Sequence, residues 1–530
     1  MRDFETPGRS LVMATHGMAA TSHPLASLIA LNVLQAGGNA MDAAIAACAV
    51  QGVVEPGSTG LGGDCFVLYS RGGTDDIVAY NGSGRAPAAA STAYFADHGI
   101  TAIERQSAHA VTVPGAVEAW ARLTQDHGTR SLGELLQPAI ALAREGYAVA
   151  PRVGLDWREQ SALLEKDANA ARIFLPGGHA PHPGTLHQQP KLAATLERIA
   201  EDGPDGFYRG AVAQDIVGYL QGLGGLHTLE DFAATRGAYV TPISAPFRDV
   251  TVHECPPNGQ GVIALMLLNI LSRATTDSSP LTVERVHFEM EAARLAYSVR
   301  DAVLSDPDHS QIPLRELLSD TLAAQLAGMI RADKRLEELP VVDLPSHDDT
   351  VYIAVVDKDR NVASFINSIF TPFGSGLVAP RSGVLLNNRA QGFSLKDLHP
   401  NAIAGGKRPL HTIIPGLTTR EGRIEHCFGV MGGQYQALGQ AYFLARILDY
   451  GLDMQSAIDL PRASPLFGTD ALEVEASMPE DIQRGLAALG HRIVRPARPI
   501  GGAQAIRIDW NTGVLTGASD PRKDGCALGY

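Results

Sequence analysis

The chain has 530 residues, of which 45% are apolar and 19% charged, with a formal net charge of −14. This composition excludes a disordered chain, and the acidic balance excludes nucleic acid or an anionic membrane as the main partner while leaving room for a local basic pocket. The length suggests two to four domains, or one large layered domain with insertions. No run approaches the roughly 18 uninterrupted apolar residues of a membrane span. The start, Met1-Arg2-Asp3-Phe4-Glu5, lacks the apolar core of a secretory signal, so the cytoplasm is the expected location. The five cysteines, Cys48, Cys65, Cys255, Cys427 and Cys526, are scattered and never form a CxxC pair. Neither a zinc site, nor a disulfide framework, nor a cofactor is expected.

In chain order, Pro24 to Ala36 predicts a helix with Leu28, Leu31 and Leu34 apolar and a stop at Gly37-Gly38. Asn39 is placed to cap a second helix, Ala40 to about Val53, whose alanine-rich face suits close packing between layers. A glycine-rich loop, Glu55 to Asp64, leads to a strand, Cys65 to Ser70, and a second strand spans Ile77 to Tyr80. From 114 to 332 the pattern is mostly helical, with Pro114 in a first turn and helices near 131–145, 190–202, 210–222, 281–303 and 312–332. Strand material interrupts near 238–255. The polar stretch 333–349 reads as a surface linker. Beyond it strands dominate to about 430, followed by a helix near 434–450 and a strand pair at 503–509 and 513–517. Helices, then strands, then helices suggest a layered α/β sandwich and not a simple βαβ wind.

Three stretches could carry chemistry. Thr350 opens the apolar run Val351-Tyr352-Ile353-Ala354-Val355-Val356; a turn at Asp357–Asn361 and a second strand, Val362 to about Asn367, complete a hairpin. A threonine at a strand start is ordinarily structural, because β-branched side chains favour strands. The Gly60–Asp64 loop could cradle phosphate through its N–H groups, but it lacks the Lys-Ser/Thr of a P-loop and precedes a strand, so a tight turn is the better reading. Gly432-Gly433 lies between an apolar strand and a helix. Bare N–H groups there suit an oxyanion hole, although a turn at a helix entry is the plainer reading of the residues alone. His287-Phe288-Glu289, on a helix with Arg294 and Arg300, reads as a salt-bridged face. HExxH spacing and a GxSxG elbow are both absent.

Together these residues resemble the γ-glutamyltransferase family of N-terminal-nucleophile hydrolases. The resemblance runs along nearly the whole chain: Gly60–Gly63, Thr112-Val113-Pro114-Gly115, Thr350 with its hairpin, Phe373-Gly374-Ser375-Gly376, Leu385-Leu386-Asn387-Asn388, Lys407-Arg408-Pro409, Gly432-Gly433 and Asp520-Pro521-Arg522. It implies a four-layer αββα sandwich and a proenzyme that cuts itself before Thr350. Residues 1–349 then form a large fragment and 350–530 a small one, both within one αββα unit. Thr350 becomes the nucleophile, its freed α-amine the base. Ser368 matches the hydroxyl that bonds the nucleophile, and Gly432 and Gly433 the oxyanion hole.

The chain also departs from the family pattern. Ser83 stands where γ-glutamyl-specific members carry an arginine for the substrate α-carboxylate. Gly392 replaces the aspartate that holds the substrate ammonium, and His411-Thr412 replaces a serine pair. These substitutions resemble the cytoplasmic glutathione hydrolase-like branch, and His411-Thr412 also resembles the oxamate amidohydrolases. Arg85 or Arg389 could still meet a carboxylate; a structural ion pair is the alternative for each. Asn367, His411 and Thr412 complete the expected substrate-binding set. The expected function is an autoprocessing amidohydrolase of glutathione hydrolase-like type, working on a small amide with acyl transfer as a further outcome. The alternatives are an oxamate amidohydrolase-like enzyme and a non-catalytic binding protein on the same fold. The expected partners are the small-molecule substrate and the two fragments for each other, with a homo-oligomer left open.

Overall fold

The computed structural model describes residues 5, 8–275, 279–337, 339 and 350–530. Two antiparallel sheets of seven strands dominate it. The first runs, edge to edge, Val12–Ala14, Leu515–Ser519, Gly502–Ile508, Arg423–Met431, Gly416–Arg420, Val250–Glu254 and Ile243–Phe247. The second runs Cys526–Gly529, Met18–Thr21, Val351–Val356, Val362–Ser368, Asp64–Ser70, Ile77–Gly82 and Ala238–Val240.

Side-chain alternation along the strands explains the layering. Tyr352, Ala354 and Val356 meet Phe66, Ile366, Leu417, Cys427 and Ile506 in a core made of residues from both sheets. Ile353 and Val355 point the other way and join Val67, Phe365 and the helical residues Ile45 and Trp120. On the far side, Val252, Phe428, Val430 and Ala505 pack with Ile263, Leu267, Leu438 and Leu444 from helices Gly261–Leu271 and Tyr435–Leu448. The result is helix, sheet, sheet, helix: the expected αββα sandwich. A strand covered on both faces needs an unbroken apolar sequence, as Val351–Val356 has.

Helix Ala40–Val54 is buried at every residue except Gly52, consistent with its alanines. Asn39 caps it: its side chain accepts from Asp42 N at 3.0 Å while Asp42 accepts from Asn39 N at 2.9 Å. Such a reciprocal box satisfies two orphan donors and contributes about 1 kcal/mol. Four sequence-based expectations change. Pro114 precedes its helix, which spans Ala116–His127 behind Gly115. The tail adds a strand, Cys526–Gly529. The stretch between Ser368 and Gly416 holds isolated bridges and a short 3-10 turn, not regular strands. The ion pairs of helix Val283–Val303 exist, but buried: Arg285 and Glu289, 2.7 Å apart, are each about 1% exposed. Asp349 and most of the expected linker lie outside the described residues.

Glu254 ends an interior strand, fully buried, and neither carboxyl oxygen has a hydrogen-bond partner among the described residues. Burial holds its pKa well above the usual carboxylate range. A raised folded-state pKa gives stability that is full below the unfolded value and is lost as pH rises above it. Glu254→Gln removes that proton dependence. Thermal unfolding is expected to show the variant more stable than wild type near pH 8, with the difference shrinking below pH 4.5. Equal melting at both pH values would show the carboxyl to be solvated.

Candidate active site

Strand register gathers the site. Val351 pairs with Asn367, so the ladder's continuation sets Thr350 opposite Ser368. Ser368 pairs in turn with Asp64 on the next strand. Cys65 pairs with Gly82, which brings Ser83 beside Asp64. By alternation Thr350, Ser368 and Asp64 share the face of Tyr352, Ile366 and Phe66, which looks toward the opposite sheet.

Thr350 is fully buried and donates from Oγ1 to Ser368 Oγ at 3.4 Å. Gln436 Nε2 donates to the same Thr350 oxygen at 3.1 Å. Gln436 sits in the first turn of helix Tyr435–Leu448, and its own oxygen accepts from Ile414 N at 3.1 Å. Ser368 Oγ also accepts from Phe370 N at 2.9 Å and from Arg389 Nη2 at 3.2 Å.

Arg389 is fully buried. Its Nη1 donates to Thr412 Oγ1 at 3.1 Å, and the guanidinium lies 4.1 Å from the centre of the Phe370 ring. Its Nε has no hydrogen-bond partner among the described residues and stands 3.8 Å from Asp64 Oδ2. Burial pushes its pKa down to about 9, with the Asp64 carboxylate opposing, so the group stays cationic at neutral pH.

Asp64 is the hub of this cluster. Oδ1 accepts from Gly84 N at 2.8 Å and Gly115 N at 3.3 Å, and Oδ2 accepts from His411 Nε2 at 2.9 Å. The His411 pKa is lowered to about 4, first by burial and then by Arg389, against the pull of Asp64. The ring is therefore neutral at working pH, a fixed crosslink with its proton on Nε2. Gln260 ties this side to the glycine loop: Nε2 donates to Thr412 O at 2.8 Å and to Gly433 O at 3.0 Å. Arg300 Nη1 anchors the Gln260 oxygen at 3.0 Å.

Gly432 and Gly433 join strand Arg423–Met431 of the opposite sheet to the helix that carries Gln436, at φ of 118° and 51°. A cavity of about 160 Å³ opens beside Gly432, lined also by Arg152, Gln434, Tyr435, Arg498 and Lys523.

Among the residues expected from sequence, the structure brings together Thr350, Ser368, Arg389, Thr412 and, through Asp64, His411. Gln260 and Gln436 link Gly432-Gly433 to this cluster. Arg85 and Asn367 stand apart. Arg85 is 35% exposed, donates to Gly406 O at 2.8 Å and pairs with Asp308 at 3.1 Å, so its alternative reading as a structural ion pair fits better. Asn367 faces the other side of its strand and donates to Thr59 Oγ1 at 2.7 Å, holding the Gly60 loop. Sequence reasoning missed Gln436, Asp64 and Gln260 as site residues. Asp64 ends a loop already singled out, and Gln436 lies one turn after the paired glycines, but neither position announces its partner.

The departures noted in the sequence also find places. Ser83 Oγ donates to Asn81 Oδ1 at 2.7 Å and accepts from Asn258 Nδ2 at 3.2 Å, in a neutral cluster. A Cβ built on Gly392 would stand 3.1 Å from Leu410 O, so a longer side chain there would require its neighbour to shift.

The γ-glutamyltranspeptidase family profile matches residues 26–530. The chain belongs to that family. The glutathione hydrolase-like YwrD proenzyme of Bacillus subtilis is 38% identical over 527 residues, covering 98% of this chain and 99% of the relative. The oxamate amidohydrolase proenzyme of Klebsiella pneumoniae is 34% identical over 98% of this chain and 99% of its own. Among solved structures, a cephalosporin acylase from Bacillus halodurans superposes with a TM-score of 0.93 at 37% identity, covering 100% of this chain and 99% of its own. The γ-glutamyltranspeptidase-family chain is thus an enzyme with the N-terminal-nucleophile hydrolase fold. Among its described residues no helix is long and apolar enough to cross a membrane.

Proposed function

We propose that the chain cuts itself before Thr350 and then hydrolyses a small amide through an ester on that residue. In the first step Thr350 Oγ attacks the carbonyl of residue 349, the peptide nitrogen leaves as an amine, and water opens the resulting ester. The freed α-amine has a reference pKa of about 7.7–8.0 and takes the hydroxyl proton in the second reaction. Oγ then adds to the amide carbonyl, and the N–H groups of Gly432 and Gly433 receive the oxyanion. The leaving amine collects the proton, and water releases the acid; a second amine in place of water would give acyl transfer. Ser368 and Gln436 hold the nucleophile. The observation that carries this reading is the Thr350 hydroxyl, held by Ser368 from a neighbouring strand and by Gln436 from the helix behind the opposite sheet. On a denaturing gel the purified enzyme is expected to give two bands, the smaller beginning Thr-Val-Tyr on N-terminal sequencing. An active enzyme that remains one intact chain would sink the proposal.

Glutathione and other γ-glutamyl compounds are the first substrates to try, as the family suggests. A second reading has specific support: amides that carry a carboxylate but no ammonium. Ser83 supplies no cation and Gly392 no carboxylate, and a buried ammonium without an anionic partner is costly. Weak turnover of glutathione is expected beside its analogue lacking the glutamyl amine. If removing that amine lowers kcat/KM tenfold or more, about 1.4 kcal/mol, an ammonium site exists and this second reading is wrong.

A further inference from the structure

We infer that Arg389 is the residue that holds the substrate's carboxylate, and that its position selects short acyl groups. The substrates are amides whose carboxylate is bonded to the scissile carbonyl or one carbon removed. This inference rests on the Thr350 ester reading and specifies its substrate.

Among the described residues Arg389 is the cation nearest the reacting atoms by hydrogen-bond connectivity. It touches Ser368, which touches Thr350, through bonds of 3.2 and 3.4 Å. The guanidinium therefore lies within about 7 Å of the attacking oxygen. It is fully buried, so no solvent competes for it. Its hydrogen bonds go to two neutral hydroxyls, Ser368 and Thr412, and its one carboxylate neighbour among the described residues, Asp64, stands 3.8 Å away and is already engaged by His411, Gly84 and Gly115. Both hydroxyls can turn to donate, so a substrate carboxylate can enter the fork with Ser368 and Thr412 as additional donors. Arg85, by contrast, is already neutralised by Asp308.

The span then limits the ligand. An attack distance of about 3 Å and a charge-assisted hydrogen bond of about 2.8 Å use most of it. What remains accommodates a carboxylate directly on the scissile carbon or one methylene away. An extended γ-glutamyl group places three carbons, about 5 Å, between its two carbonyl centres, and it reaches Arg389 only by curling.

The test uses the processed full-length enzyme and the series oxamate, malonamate, succinamate and glutaramate, with oxamide as the neutral isostere of oxamate. The wild type is expected to show kcat/KM at least about tenfold higher on the two shortest acids than on glutaramate. Arg389→Gln is expected to lower the oxamate-to-oxamide ratio by at least about tenfold, with part of the loss restored in Arg389→Lys. A merely structural arginine would lower both substrates together and leave the ratio unchanged, which would overturn the assignment. Should the variants fail to process, competitive inhibition of the wild type by oxalate, malonate, succinate and glutarate reads the same length preference. Best turnover or tightest inhibition by the longest member overturns the inference while the ester mechanism stands. An enzyme that turns over none of the amides and is inhibited by none of the diacids overturns both.

Discussion

Thr350→Ala is expected to yield one uncut chain with no measurable amidase turnover. The substitution removes the single oxygen that serves both reactions, and loss of a covalent nucleophile costs on the order of 10⁶ in turnover where it has been taken apart. The fold is not at risk to the same degree. Thr350 precedes its strand, and the ladder from Val351 to Val356 involves backbone groups that alanine leaves in place. What is lost is a methyl and a hydroxyl, with its hydrogen bonds to Ser368 and from Gln436. A denaturing gel should show one band and thermal unfolding a midpoint within several degrees of wild type. A variant that still divides into two fragments would place the cut elsewhere and remove the basis for the nucleophile.

Gly432→Ala is expected to lower turnover by on the order of 10²–10³, the typical cost of one oxyanion-hole donor. Two observations make this position the sharper test of the pair. Its φ of 118° lies outside what an L side chain adopts comfortably, and an added Cβ would stand 2.8 Å from Gly501 Cα. The backbone must therefore move, and the N–H moves with it. Gly433, at φ 51°, tolerates alanine better, so its variant should lose less. Because the donors act on charge that develops only in the transition state, the loss should fall on kcat with KM little changed. Near-normal turnover in a correctly processed Gly432→Ala enzyme would end the oxyanion assignment.

Much of this architecture was legible in the sequence where the signal is local. Asn39 announces a helix cap, and the β-favouring run Val351–Val356 followed by a turn announces a hairpin strand. The hairpin register follows from its short turn, and with it the approach of Thr350 to Ser368. Strand order was not legible, because a sheet neighbour can come from anywhere in the chain. Asp64 reaches His411 across 347 positions, and no local pattern encodes that pairing. The stretch from Ser368 to Gly416 misled for a different reason. Its apolar residues suggested strands, but Gly374, Gly376, Gly383 and Gly406 all take positive φ and turn the chain too often for a ladder to form. That irregular backbone is what delivers Arg389, His411 and Thr412 to one place. The same tertiary dependence explains why Arg85 and Arg389 looked equivalent in sequence and separate so clearly in space.

The strand order has a consequence for when the enzyme can become active. A cut before Thr350 assigns Met18–Thr21, Asp64–Ser70, Ile77–Gly82 and Ala238–Val240 to one fragment, and Val351–Val356, Val362–Ser368 and Cys526–Gly529 to the other. Within that sheet Met18–Thr21 is flanked on both sides by strands of the second fragment, and the other sheet mixes the fragments as well. Neither piece can complete either sheet alone, so the proposed scission is expected to follow assembly. The hydroxyl, its partners and the paired glycines meet only in the finished sandwich. On the proposed cut, a chain that misfolds gains no terminal amine, and the protein certifies its own folding before it is armed.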